Sequence, residues 1–167
     1  MPKFLPTTLL LLSLSACGQQ TASESKLPVA AAPAAPPSLA GNWPPPKVAR
    51  QFDSAQVARG KATYQQYCQA CHGPEGRGQA GDWRVKGPDG KYPPPPLNDS
   101  AHAWHHPTQL LHRVIKYGSP GGTGNMPAWK DALTDARIDD VIVYIKSLWS
   151  DGVYAVWHDI ERRSLEP

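Results

Sequence analysis

Side chains recur at helical intervals in four stretches of the chain. Behind Asp53 or Ser54, either of which can cap a helix, Val57, Gly60, Tyr64, Tyr67, Cys68 and Cys71 share one face, and Gly73-Pro74 ends the run. A second, shorter helix is predicted from Pro107, a residue suited to a first helical position, to about Gly118, with Leu110, Leu111, Val114 and Ile115 facing inward. Thr134 can cap a third, Asp135 favours the positive end of its dipole, and Ile138, Val141, Ile142, Ile145, Leu148 and Trp149 form its apolar stripe. Val153, Tyr154, Val156, Trp157 and Ile160 predict a last helix over 153–163. No stretch alternates like a strand. The expected fold class is all-α, with three to five helices and long irregular loops.

The ends and the gaps have a different texture. Lys3 precedes an uncharged, leucine-rich run from Phe4 to Leu14, too short to span a bilayer but proportioned like an export signal. Residues 18–50 then hold 7 Pro and 8 Ala among 33 positions and too few large apolar side chains to offset the entropy of ordering them. Such a segment reaches between roughly 30 Å as a coil and roughly 100 Å if extended. Residues 73–106 carry 6 Gly and 6 Pro in 34 positions, with almost no periodicity. A structureless stretch of that length inside a small domain needs a reason.

Composition narrows the classes. The chain has 167 residues, which allows one modest domain with an appendage. With 17 Lys+Arg against 14 Asp+Glu, the net charge of +3 is too small and too dispersed for a nucleic-acid footprint. Three cysteines are too few for a disulfide scaffold.

Two of those cysteines carry the chemistry. The predicted first helix closes on Cys68-Gln69-Ala70-Cys71-His72, the C-x-x-C-H pattern of covalent haem attachment. Two sulfurs three residues apart lie one helical turn apart, so both can form thioethers to one porphyrin while the adjacent imidazole binds its iron. A thioredoxin-like pair would need a βαβ setting, zinc would need two further ligands, and a Cys68–Cys71 disulfide would leave the histidine unexplained. A haem c also answers the loop problem, because a porphyrin lets irregular chain bury apolar surface where the protein has little core. Beyond the export signal Met126 is the only methionine; it sits in Gly124-Asn125-Met126-Pro127 and is the candidate second axial ligand. Trp83 and Trp129 are candidate haem-pocket residues, each able to donate an indole N–H to a propionate, with Arg84 and Lys86 as electrostatic alternatives. His102, His105 and His106 form a cluster whose side chains satisfy backbone groups, reach a haem propionate or sit in solvent, or else form a second, copper-like metal site; a histidine in place of Met126 on the iron is a further alternative.

With these residues in place, the sequence resembles the class I c-type cytochromes over about residues 52–150. The resemblance rests on Gly60 and Tyr64, on Cys68 to Gly73, on Met126-Pro127, and on Tyr144 with Leu148. It implies a cytochrome c fold around one haem, a crossing of the first and last core helices near Gly60 and Tyr144, and a proline-rich haem-edge loop at Pro93 to Asn98. It also implies a one-electron carrier, not an enzyme, cycling a His72/Met126-ligated iron between ferrous and ferric states. The alternatives are a peroxidase-like haem enzyme with a weakly held sixth ligand and a copper-binding accessory cytochrome. Leu14-Ser15-Ala16-Cys17 resembles a bacterial lipobox, which implies lipidation at Cys17. The expected organisation is a signal peptide over 1–16, a lipidated tether over 17–50, a cytochrome domain over 51–150 and a helical extension over 151–167. The protein is expected as a monomer on the periplasmic side of the envelope, anchored by lipid. Gly18 stands where an inner-membrane retention aspartate is common, which favours the outer membrane. Expected partners are a donor and an acceptor redox protein.

Overall fold

The structure, a computed structural model, describes residues 47–167. The signal peptide expected over 1–16, the lipidation expected at Cys17 and the expected tether up to residue 46 lie outside the described residues. Among those described there are five α-helices and no strand: α1 Ser54–Tyr67, α2 Gln69–His72, α3 Thr108–Tyr117, α4 Asp135–Ser147 and α5 Asp151–Ser164. None is long and apolar enough to cross a membrane.

Local chemistry sets the starts of three helices. The Asp53 carboxylate accepts from Ala55 N at 2.7 Å, Thr134 Oγ1 from Arg137 N at 3.4 Å and Ser150 Oγ from Val153 N at 3.4 Å. The single helix predicted through His72 is instead two, α1 and α2, separated at Cys68. There the i→i+4 ladder narrows to a turn, Cys71 N donating to Cys68 O at 3.1 Å and His72 N to the same oxygen at 2.9 Å.

The core is the crossing of α1 and α4. An added Cβ on Gly60 would lie 2.0 Å from Asp140 O and 2.9 Å from Tyr144 Cβ, so only glycine lets the two backbones meet. Tyr64 and Tyr144 pack beside the crossing with ring centroids 5.2 Å apart, and Arg59 grips the Asp140 carboxylate with Nε at 2.9 Å and Nη2 at 3.2 Å. Ile138, Val141, Ile142 and Trp149 are fully buried behind it.

Helix α5 packs on this core through Tyr154, Ala155 and Trp157. Arg50 ties the chain ahead of α1 to the same place: it donates to Asp151 at 3.0 Å and to Ser147 O at 3.0 Å, and lies 5.4 Å from the Phe52 and Tyr154 ring centres. On α3 the inward face is narrower than the spacing predicts. Ile115 is buried and Leu111 packs on the core, but Leu110 and Val114 are half-buried, lining a surface groove with Arg113 and Tyr117. Four apolar residues cover more than one helix face, and the core meets only the Leu111–Ile115 side.

Candidate functional site

His72 ends α2 with only 7 % of its surface exposed. Its Nδ1 lies 2.8 Å from Pro95 O. A carbonyl oxygen can only accept, so the proton sits on Nδ1 and the neutral ring keeps its lone pair on Nε2. Burial pushes the imidazole pKa down, against the smaller pull of the Pro95 hydrogen bond, so the ring stays neutral at neutral pH. That is the form a metal requires.

Pro95 belongs to a stretch without secondary structure, yet a backbone frame holds it. Leu97 N and Asn98 N both donate to Gly76 O, at 2.7 and 3.2 Å. Gly78 N donates to His72 O at 2.7 Å. The turn between them hangs on Tyr64, whose hydroxyl donates to Gly73 O at 2.7 Å and accepts from Gly76 N at 3.1 Å. Gly73 takes φ +73°, and a Cβ there would meet Gly78 O at 2.2 Å. The proline-rich stretch therefore reaches His72 because α1 fixes the loop that follows it.

The two sulfurs flank the same turn. Cys68 is buried, and burial followed by the neighbouring Cys71 pushes its thiol up to about 11. Cys71 is exposed, and neither forms a disulfide. Cys68 lies in the hydrophobic core, against which Met126, Tyr67, Leu97, Trp104, Leu111 and Trp129 pack while remaining only partly buried.

Met126 is carried on a loop clamped to the end of α3. Ser119 N donates to Met126 O at 3.1 Å, and Met126 N donates to Ser119 Oγ at 3.1 Å. Beyond it Trp129 N bonds Ile115 O at 3.2 Å and Lys130 N bonds Lys116 O at 3.1 Å. A parallel bridge joins Gly124 to Tyr92, and Asn125 Nδ2 donates to Asp89 at 2.7 Å, so the Met126 loop also touches the irregular stretch.

The tryptophans and histidines fall in two places. Trp129 stands edge-on to Tyr67 at 5.4 Å within the core packing. Trp83 stacks on His102 at 4.7 Å and carries Arg84 over its ring. Sequence reasoning passed over Trp104, which packs on the core with its Nε1 buried and unpartnered. His102 Nδ1, two residues earlier, is likewise buried without a partner. No pattern marks Trp104 in the sequence, where three histidines surround it. The structure brings His102 and His106 together at 5.3 Å and sets His105 against Trp104 at 3.8 Å. Among the described residues, no three His, Cys, Asp or Glu side chains converge as metal ligands.

These residues fit a covalently held haem. The C-x-x-C-H turn presents two unpaired thiols beside a neutral imidazole. Half-buried apolar side chains, Met126 among them, pack against the small helical core and are only partly covered by it. The orphaned Trp104 N–H calls for an acceptor, and a haem propionate is one.

A helical domain that offers this donor set on so small a core belongs to the c-type cytochromes. Sequence comparison gives the family: the model described as cytochrome c oxidase, cbb3-type, subunit III matches residues 55–145. That is more than half of the chain, and the chain belongs to this family, with haem c as its cofactor and electron transfer as its role. Two relatives are CcoP subunits of cbb3-type cytochrome c oxidase. The one from Azospirillum sp. (strain B510) is 33% identical over 96 residues, 58% of this chain. The one from Azospirillum brasilense is 31% identical over 99 residues, 59% of this chain. The match spans 30% of the length of each relative.

Proposed function

We propose that the protein is a one-electron carrier whose haem c is tied by thioethers to Cys68 and Cys71 and ligated by His72 and Met126. The observation that carries this reading is the buried His72 ring with its Nδ1 proton held by Pro95 O. That contact fixes the tautomer and leaves Nε2 to bind iron, and it makes the imidazole a stronger donor. When bound, haem c supplies a reversible ferrous/ferric couple. The clamp of Ser119 on the Met126 main chain would keep the thioether within reach of the iron. If His72 and Met126 both held the iron, exogenous ligands would be kept out and the chemistry would be limited to electron exchange. A thioether ligand and burial both favour the less charged ferrous state, so the potential lies toward the high end for c-type haems.

The leader and Cys17 support export and lipid anchoring on the periplasmic side of the envelope, with the outer membrane favoured by Gly18. The Pro/Ala-rich segment then serves as a tether that concentrates the domain near membrane-bound redox partners. Since the two relatives are subunits of cbb3-type cytochrome c oxidase, an oxidase of that type is the first partner to test.

The test compares wild type with Met126→Ala, both haem-loaded, by ferric absorption spectra and redox titration. Wild type is expected to show a far-red methionine–iron charge-transfer band and to resist carbon monoxide. The variant should lose the band, drop in potential and bind carbon monoxide. Identical spectra and potentials refute the ligand assignment. A wild-type protein that binds exogenous ligands at rest points instead to a haem enzyme.

A further inference from the structure

Helix α3 has no cap of its own. Pro107 precedes it and supplies no side-chain acceptor, so the first free N–H of the helix, on Thr108, needs a partner from elsewhere. It finds one 53 residues later: Glu161, on α5, accepts from Thr108 N at 2.6 Å. A carboxylate at that point also meets the positive end of the helix dipole. The same residue is gripped from α4, where Lys146 Nζ donates to Thr108 Oγ1 at 2.7 Å while lying 3.9 Å from the Trp157 ring centre on α5. The start of α3 is thus held by α4 and α5 together.

The far end of α3 holds the Met126 loop, through Ile115, Lys116 and Ser119. A helix of ten residues is a rod of about 15 Å, stiff along its axis while its hydrogen bonds are intact. What happens at Thr108 is therefore felt at Ser119. Helix α5 spans Asp151–Ser164 and lies wholly beyond residues 55–145, the part of the chain that the family model matches. The device belongs to the added segment.

We propose that Glu161 is a positioning residue for Met126: by capping α3 from α5, it keeps the helix that carries the Met126 loop from fraying and so holds the thioether in place on the iron. This rests on Met126 being the axial ligand proposed above. Glu161 touches neither the methionine nor the iron and acts only through α3. Removing its carboxylate frees the Thr108 N–H, lets the first turn of α3 open, and gives the Met126 loop a mobile base.

The experiment uses the full haem-loaded chain as wild type, Glu161→Ala, Glu161→Gln, Glu161→Asp and Met126→Ala. Two readouts are taken: amide hydrogen exchange at Thr108, Ser119, Met126 and Trp129, and the pH at which the methionine–iron band disappears on alkaline titration. In Glu161→Ala all four amides should exchange about tenfold faster and the band should be lost about one pH unit earlier. Glu161→Gln, which keeps an oxygen acceptor, should recover most of both. If only the Thr108 amide speeds up and the band is lost at the wild-type pH, Glu161 is a local cap and the proposal fails. If Glu161→Ala does not retain haem, Glu161→Asp, whose shorter side chain withdraws the carboxylate from Thr108 N, decides: a band lost earlier, with faster Ser119 and Met126 amides, upholds the link, and wild-type values end it. A wild-type protein without the band overturns the ligand assignment instead, and the exchange rates at Ser119 and Met126 still decide whether Glu161 steadies the loop.

Discussion

Gly60→Ala is the sharpest test of the fold, because it adds one methyl group where two backbones touch. The new Cβ would sit 2.0 Å from Asp140 O and 2.6 Å from its carbonyl carbon. Neither atom belongs to a side chain that can rotate away. Helices α1 and α4 would have to part by about 1 Å to reach tolerable contact, and a gap of that size forfeits a quarter to a half of the dispersion energy across the faces that separate. Those faces include Tyr64, Val141 and Tyr144, the first two of them fully buried. Overpacking in cores commonly costs about 1–3 kcal/mol, and a clash with backbone on a central crossing belongs at the top of that range, so we expect roughly 3 kcal/mol. For a domain of this size that is a fall in Tm of roughly 10 to 15 °C. Thermal unfolding of the haem-loaded protein, followed by far-ultraviolet circular dichroism and by Soret absorption together, measures it. A shift of only a degree or two would mean that the helices do not cross at Gly60, and the packing described above would be wrong.

Two other perturbations probe separate parts of the frame. Tyr64→Phe leaves Gly73 O and Gly76 N without their buried partner, so urea titration should show a loss of about 1–3 kcal/mol; a change under about 0.5 kcal/mol would show that the hydroxyl does not hold the turn after His72. Burial pushes Lys146 down to about 8 from an ordinary 10.5, with Glu161 and Asp139 opposing, so between those pH values the unfolded chain binds the extra proton and stability should rise with pH by up to about 3 kcal/mol. Tyr64, Tyr144 and Tyr154, whose pKa values burial raises, pull the other way only at higher pH. Comparing urea midpoints of wild type and Lys146→Met from about pH 7 to about pH 9.5 isolates the lysine, and parallel pH profiles would remove it from the interior.

What could be read from the sequence was what depends on neighbours along the chain. Asp53 and Thr134 announce helix starts within three residues of the amides they accept from, and the Cys68–Cys71 spacing carries its own geometry. The crossing at Gly60 needed the family resemblance, since nothing in the spacing of α1 says which residue α4 will meet. Three features were out of reach for a physical reason. The Pro95–His72 contact joins a helix end to a stretch with no periodicity, 23 residues apart. The cap of α3 by Glu161 joins residues 53 apart. The open Leu110–Val114 side of α3 depends on which neighbour arrives, and an apolar stripe does not say whether one does.

The irregular stretch from 73 to 106 is ordered less by its own sequence than by polar groups reaching it from the helices. Its carbonyls and amides satisfy one another only at scattered points, such as Leu97 N on Gly76 O, so further attachment must be supplied from outside. Tyr64 from α1 takes Gly73 and Gly76. Trp149, 1 % exposed at the end of α4, donates its Nε1 proton to Leu97 O at 2.9 Å. Asp99 in turn accepts from Ser150 N, the cap of α5, at 2.9 Å. The loop carrying the acceptor for His72 is therefore suspended from α1, α4 and α5, just as the loop carrying Met126 is suspended from α3. For an electron carrier this division has a consequence: His72 closes helix α2, Met126 and the carbonyl that orients His72 lie on loops able to follow a porphyrin, and the anchors of those loops lie on helices that need not move when the iron changes charge. Small movement between oxidation states is what rapid one-electron exchange demands of a ligand pair. The same reasoning makes the helix ends, rather than the loop sequences themselves, the places where substitutions should disturb the iron most.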